Sequence, residues 1–212
     1  MIDATRIIRE YLITSVSAAA STTLSAGMDA DDTSFTVASG AAFANLDAPL
    51  VLQIDSELML ATRSGNTITV DLGGRGALGS TAASHSNGAT VSLANLYTVA
   101  GARVYADKLP VDFANTSPSV LFRIRGGAGP AVLVPVTELS AEFFCYGGTN
   151  NYDDSAALGR LLNDRLHDTT MASTTSGVLM HAHEEVQMQN ATEPDTEYPR
   201  TFTAYGIGLR SF

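Results

Sequence analysis

Three groups of residues in this chain have types and spacings that could do chemistry. Gly74, Gly76 and Gly79 satisfy G-x-G-x-x-G, a spacing that cradles a pyrophosphate when it follows a strand and opens a helix. Here residues 80–87 lead toward a turn rather than a helix. No acidic residue stands ~20 positions on to take a ribose hydroxyl, so these are read as turn glycines. His181 and His183 share a strand face with Glu185, because alternate strand residues point the same way. Two imidazoles and a carboxylate form a zinc or nickel donor set, but one strand cannot show that ligands converge, and a polar strand face at a subunit contact is the favoured reading. Cys145 lies in an alternating pattern that reads as a buried, inert thiol.

Other ingredients of catalysis are present without their geometry. Serine, histidine and aspartate all occur, yet there is no G-x-S-x-G elbow. The acidic pairs Asp31–Asp32, Asp153–Asp154 and Glu184–Glu185 are chain neighbours, whose side chains point apart or cap helices. The chain is therefore expected not to be an enzyme and to need no metal or cofactor. Asn115-Thr-Ser and Asn190-Ala-Thr match the glycosylation sequon, which matters only to a secreted chain. No signal pattern opens the sequence and no apolar run approaches ~18 residues, so a soluble protein made in the cytoplasm is expected.

The elements that position these residues are written in two styles. Asp3 can cap a helix with Ile7, Ile8, Tyr11 and Leu12 on one face, ending near 14–17. The stretch 21–97 then has seven acids against Arg63 and Arg75, no lysine, and much Gly, Ala, Ser and Thr. Its apolar residues alternate at Phe35 and Val37, 50–54, Leu58 and Leu60, Ile68 and Val70, and Val91 and Leu93. Gly65-Asn66 and Asn87-Gly88 supply turns. That predicts a compact all-β unit of about five or six short strands.

From Tyr97 onward α/β patterning returns. Strands are expected at Val104–Tyr105, at 120–124 with Arg123 and Arg125 on the other face, and at 138–145, followed by a turn at 126–130 between the last two. A helix capped near Asn151 carries Leu158, Leu161, Leu162 and Leu166 on one stripe. Strands at 178–186 and 201–209 close the chain, and the acidic, proline-bearing 188–199 reads as an exposed loop. The fold class expected is α+β: a sheet of about four strands flanked by two helices, from residues 1–20 and 98–212, with 21–97 as an inserted β-rich domain. The formal net charge of -10 and the absence of a basic patch argue against nucleic-acid binding through phosphate contacts.

The outer segments together resemble the tail terminator (tail-completion) proteins of long-tailed bacteriophages. The residues that carry this are MIDATRIIREYL, GARVYADKLP at 101–110, SVLFRIRGG at 119–127, ELSAEFFCYGGTNNYDDSAALGRLLNDRLHD at 138–168 and the closing TFTAYGIGLRSF. In such proteins the opening helix runs almost directly into the RVYADKLP-like segment, whereas here about 80 residues intervene. That insert resembles a small β-module of phage tail and fibre proteins through TTLSAGMDADDTSFTVASG, LQIDSELMLATRSGNTITV and RGALGSTAASHSNGATV.

The resemblance implies a virion protein, assembled in the host bacterial cytoplasm, that forms a ring, commonly hexameric. Such a ring caps the tail tube protein, ends its polymerisation and meets a head-side neck protein, while DNA passes through its lumen without binding and no membrane is involved. A ring of more than two identical subunits needs two different, complementary patches on each. Arg123 and Arg125 are the expected positive patch, and Glu138, Glu142 or the loop with Glu193, Asp195 and Glu197 the negative one. His181 and His183 are candidates for the same contact. The alternatives are a head–tail neck or completion protein, or a surface-binding decoration module.

Overall fold

The computed structural model describes residues 3–15, 20–44, 49–128, 136–167 and 169–211. In chain order its elements are α1 (Ala4–Leu12), β1 (Ser21–Thr23), β2 (Ser34–Thr36), a 3-10 turn (Gly40–Phe43), β3 (Leu50–Ile54), β4 (Glu57–Ser64), β5 (Thr67–Val70), β6 (Thr90–Leu93) and α2 (Leu96–Ala100). There follow β7 (Val104–Ala106), β8 (Pro118–Ala128), β9 (Thr137–Gly147), α3 (Tyr152–Leu166), β10 (Thr170–Ser173), β11 (Gly177–Thr192) and β12 (Pro199–Ser211). The chain divides into two compact units, one being Val16–Asn95 and the other Met1–Ser15 with Leu96–Phe212.

The expected α+β class, a four-strand sheet flanked by two helices, is not what the chain forms. The protein is mostly β, 46% strand and 17% helix, with two curled six-stranded sheets. Two kinds of segment account for the difference. The strand expected at Val104–Tyr105 is present as β7, but β10, four residues of mixed polarity, carries too little alternation to register as a further sheet member. Half of the polar stretch expected as a loop over 188–199 is ladder: Gln189 pairs with Phe202, Asn190 with Thr201, Ala191 with Arg200 and Thr192 with Pro199, while 193–198 form the turn. Backbone pairing does not require apolar side chains where both faces are wet. Of the turn expected at 126–130, residues 126–128 are strand, because β8 continues to Ala128; residues 129–130 lie outside the described residues. The helix expected to reach 14–17 ends at Leu12, and 16–17 also lie outside them.

The unit Val16–Asn95 is a sheet that closes on itself. Its strand order is β1-β6-β3-β4-β5-β2. Its two ends meet through a bridge between Leu24 and Val37, with Ser25 N donating to Thr36 O and Ala38 N to Thr23 O, each at 2.9 Å. Alternation sends Phe35, Val37, Leu52, Ile54, Met59, Ile68 and Val91 inward to one core, and closure leaves few free backbone groups at the rim.

The other unit is open. Its sheet runs β10-β11-β12-β9-β8-β7, antiparallel throughout except that β7 and β8 are parallel. Helix α3 is capped by Asn151, whose Oδ1 accepts from Asp153 N at 2.9 Å. It packs on β9, β11 and β12 and buries Leu158, Leu161, Leu162 and Leu166. On α1, Asp3 Oδ1 accepts from Arg6 N at 3.0 Å, and Ile7, Ile8 and Leu12 are fully buried. Both α1 and α3 meet β11, and α1 also meets β7. Cys145 is fully buried and its thiol is pushed up to about 12 by desolvation, so it is held protonated. Among the described residues no helix is long and apolar enough to cross a membrane.

Candidate functional site

The helix-free face of the open sheet is divided. At one end Phe144 and Tyr146 of β9 and Leu121 of β8 sit under Tyr105, Leu109, Phe113, Tyr198 and Phe202. At the other end the face is polar and exposed, and it collects most of the residues nominated from the sequence. Register explains how: His181, Gly208, Glu138 and Ala128 lie in one row across β11, β12, β9 and β8, and His183, Gly206, Ser140 and Gly126 in the next.

The two glycines of β12 are what let this row interact. A Cβ at Gly208 would stand 2.3 Å from His181 Cε1, and one at Gly206 2.3 Å from His183 Cε1. The imidazoles therefore lie across bare backbone, and His181 Nε2 reaches over β12 to Glu138 Oε2 at 3.0 Å. The rings stack with centroids 6.1 Å apart. His183 Nε2 stands 3.9 Å from Glu185 Oε1, whose other oxygen accepts from Ser140 Oγ at 2.7 Å. Among the described residues no three His, Cys, Asp or Glu side chains converge to hold a metal ion. On this geometry the histidine pair forms a polar strand surface.

The expected charge patches are partly spent within the subunit. Arg125 Nε donates to Glu142 Oε2 at 2.6 Å, so a nominated positive residue and a nominated negative one neutralise each other. Arg123 donates from Nε to Asp107 O at 3.0 Å and lies 5.5 Å from the Phe144 ring centroid. Glu193, expected in an exposed loop, instead forms an ion pair with Arg200 and accepts from the Tyr146 hydroxyl. Burial, with Glu193 beside it, pushes the Tyr146 phenol up to about 12, so Tyr146 acts as a donor. Asp195 and Glu197 are exposed in the short turn that remains, where Glu197 N donates to Glu193 O at 2.9 Å.

The barrel unit holds a charged cluster that sequence reasoning missed. Glu57, fully buried at the start of β4, is gripped by Arg75 through Nε to Oε1 at 2.7 Å and Nη2 to Oε2 at 3.0 Å. It also accepts from Gly76 N and Ala83 N, each at 3.0 Å, and contacts His85 Nε2 at 2.9 Å. The other histidine nitrogen meets Asp55 Oδ2 at 2.8 Å. Arg75 also donates to the carbonyls of Asp29, Asp32 and Ala83. Burial alone would raise the Glu57 pKa, but Arg75, His85 and the two backbone amides outweigh it and hold the carboxyl below its ordinary value.

An Arg–Glu–His–Asp constellation has catalytic ingredients, yet both Glu57 oxygens are saturated by internal donors, which makes the cluster a pin. It fastens the segment with the glycine motif to β4, and Gly76 serves it with a backbone N–H at φ +61°. A signal existed in the sequence. With Arg63 and Arg75 the only basic residues of the insert besides histidine, a glutamate entering an apolar strand had few possible partners. A shallow hollow of ≈ 260 Å³ lies beside β2, lined by Gly27, Met28, Asp32, Ser34, Thr36 and Thr67 among others. Its one aromatic, Phe35, is turned into the core and offers no stacking face.

No known family model matches this chain, and no curated protein is significantly similar to it.

Proposed function

We propose that this chain is a structural virion protein: a tail terminator whose copies form a ring that caps the tail tube, ends its growth and meets the head-side neck protein. The observation that supports this reading most is the divided face of the open sheet. Helices bury one face, and the other presents a row of acidic, basic and imidazole side chains that no described element of this unit covers. Alternating signs on a wet β-surface suit subunit packing that must be specific in register. They do not suit phosphate binding, and the net charge of -10 lets DNA pass a lumen without adhering. In this reading the barrel unit is carried as an appendage, and the protein performs no catalysis.

Arg123→Glu combined with Arg125→Glu tests the reading. The double variant stays folded, because both side chains lie on the wet face, but assembles poorly and yields tails of uncontrolled length. Tails of normal length would remove this face from the assembly. A wild-type chain that stays monomeric at high concentration with tail tubes present would count against the terminator itself.

A further inference from the structure

At each end of the open sheet part of a long strand has an outer side that no described strand pairs with. On the outer side of β11, β10 pairs with Val178, Leu179 and His181 only. Among the described residues no strand pairs with 182–192 on that side. At the opposite edge, β7 pairs with Val120, Leu121 and Phe122 of β8, and among the described residues no strand pairs with 123–128 beyond it. Unpaired edges are templates for another strand, and proteins that do not use them block them with proline, lysine or short length. The free part of β11, AHEEVQMQNAT, has no proline and no lysine. It does carry bulges between Glu184 and Val186 and between Val186 and Gln189, and β8 has one between Ile124 and Gly126. Such irregularities reject an arbitrary strand while leaving a partner of fitting shape.

We propose that copies of this chain join by strand addition, the free edge of β11 in one copy pairing with the free edge of β8 in the next. Direction supports a second copy as the occupant. From β8 through β9 and β12 to β11 there are three antiparallel steps, so β8 and β11 run oppositely. A rotation about an axis along the strands preserves direction, so β11 of one copy meets β8 of its neighbour antiparallel, continuing the ladder head to tail. Charge supports it as well. On the exposed face the β8 edge carries Arg123 and Arg125, the latter shared with Glu142 of its own subunit, and the β11 edge carries Glu185 beside His183. The inference deepens the ring reading above and rests on it for self-assembly, while the terminator role is a separate matter.

Hydrogen exchange of the wild-type chain, dilute and then concentrated with tail tubes, tests the backbone claim directly. Register places 182–186 level with 123–127, while 187–192 lie level with the part of β8 that β7 already pairs, so amides of 182–186 and 123–127 should gain protection on assembly. In parallel, Arg125→Glu and Glu185→Arg should each weaken assembly by about tenfold, and the exchanged double variant should recover to within about threefold of wild type. An assembly whose 182–186 amides exchange as in the dilute chain overturns strand addition and leaves the ring. A chain that never assembles overturns both. Protected edges in a particle that does not limit tail length keep strand addition and remove the terminator role.

Discussion

Each unit of this protein contains an arginine–glutamate pair at nearly the same distance, 2.7 Å for Arg75 with Glu57 in the barrel and 2.6 Å for Arg125 with Glu142 on the open sheet. Their surroundings are opposite. The Glu57 side chain is wholly buried, whereas that of Arg125 is 54% exposed. In the barrel, every donor around Glu57 is internal and the strand edges close on one another. On the open sheet the pair lies in water beside edges that end in unused backbone groups. Charge pairs of similar length thus hold one unit together and mark the surface of the other, and burial decides which.

The sharpest way to break this comparison is Arg75→Ala. Removing one partner of a buried pair leaves a carboxylate without its main counter-charge, at a cost of about 3–5 kcal/mol. All seven tyrosines lie outside Val16–Asn95, so tyrosine fluorescence follows the sheet unit alone while circular dichroism follows both. The variant should lose part of the dichroism at low denaturant and keep its tyrosine transition. A tyrosine transition that moves by the same amount would show the two units unfolding as one.

A smaller effect comes from acid. The Glu57 carboxyl is held below its ordinary value of 4.5. A group depressed on folding contributes stability that is complete above its unfolded pKa and fades as pH falls through the folded one. The barrel should therefore weaken below about pH 4.5, and Glu57→Gln should flatten that dependence. A barrel whose acid limb is the same in both chains would shift the effect to other carboxylates.

The smallest effect belongs to Arg125→Ala, which should change the stability of the sheet unit by less than about 0.5 kcal/mol in urea unfolding. A loss on the order of 2 kcal/mol would mean that this exposed pair acts as a buried one does, and the contrast would fail.

Much of the local structure was legible in the sequence, for a physical reason. Asp3 before an apolar 3.6-residue stripe and Asn151 before Asp153 and Asp154 specify helix starts through hydrogen bonds between residues two or three apart. Alternation, which depends only on neighbouring residues, marks Phe35, Ile68 and Val91 as apolar strand positions, and in the structure they lie in the core of that unit. Tertiary structure alone decided the rest. That Glu57, Arg75 and His85 would meet depends on loops separated by many residues. That Glu193 would turn inward to Arg200 depends on β11 extending through polar sequence to Thr192. That Arg125 would meet Glu142, and His181 would cross Gly208 to Glu138, depends on strand register. Register and closure are set by pairing between distant strands, so one sequence of charges became a pin in the barrel and an exposed row on the open sheet.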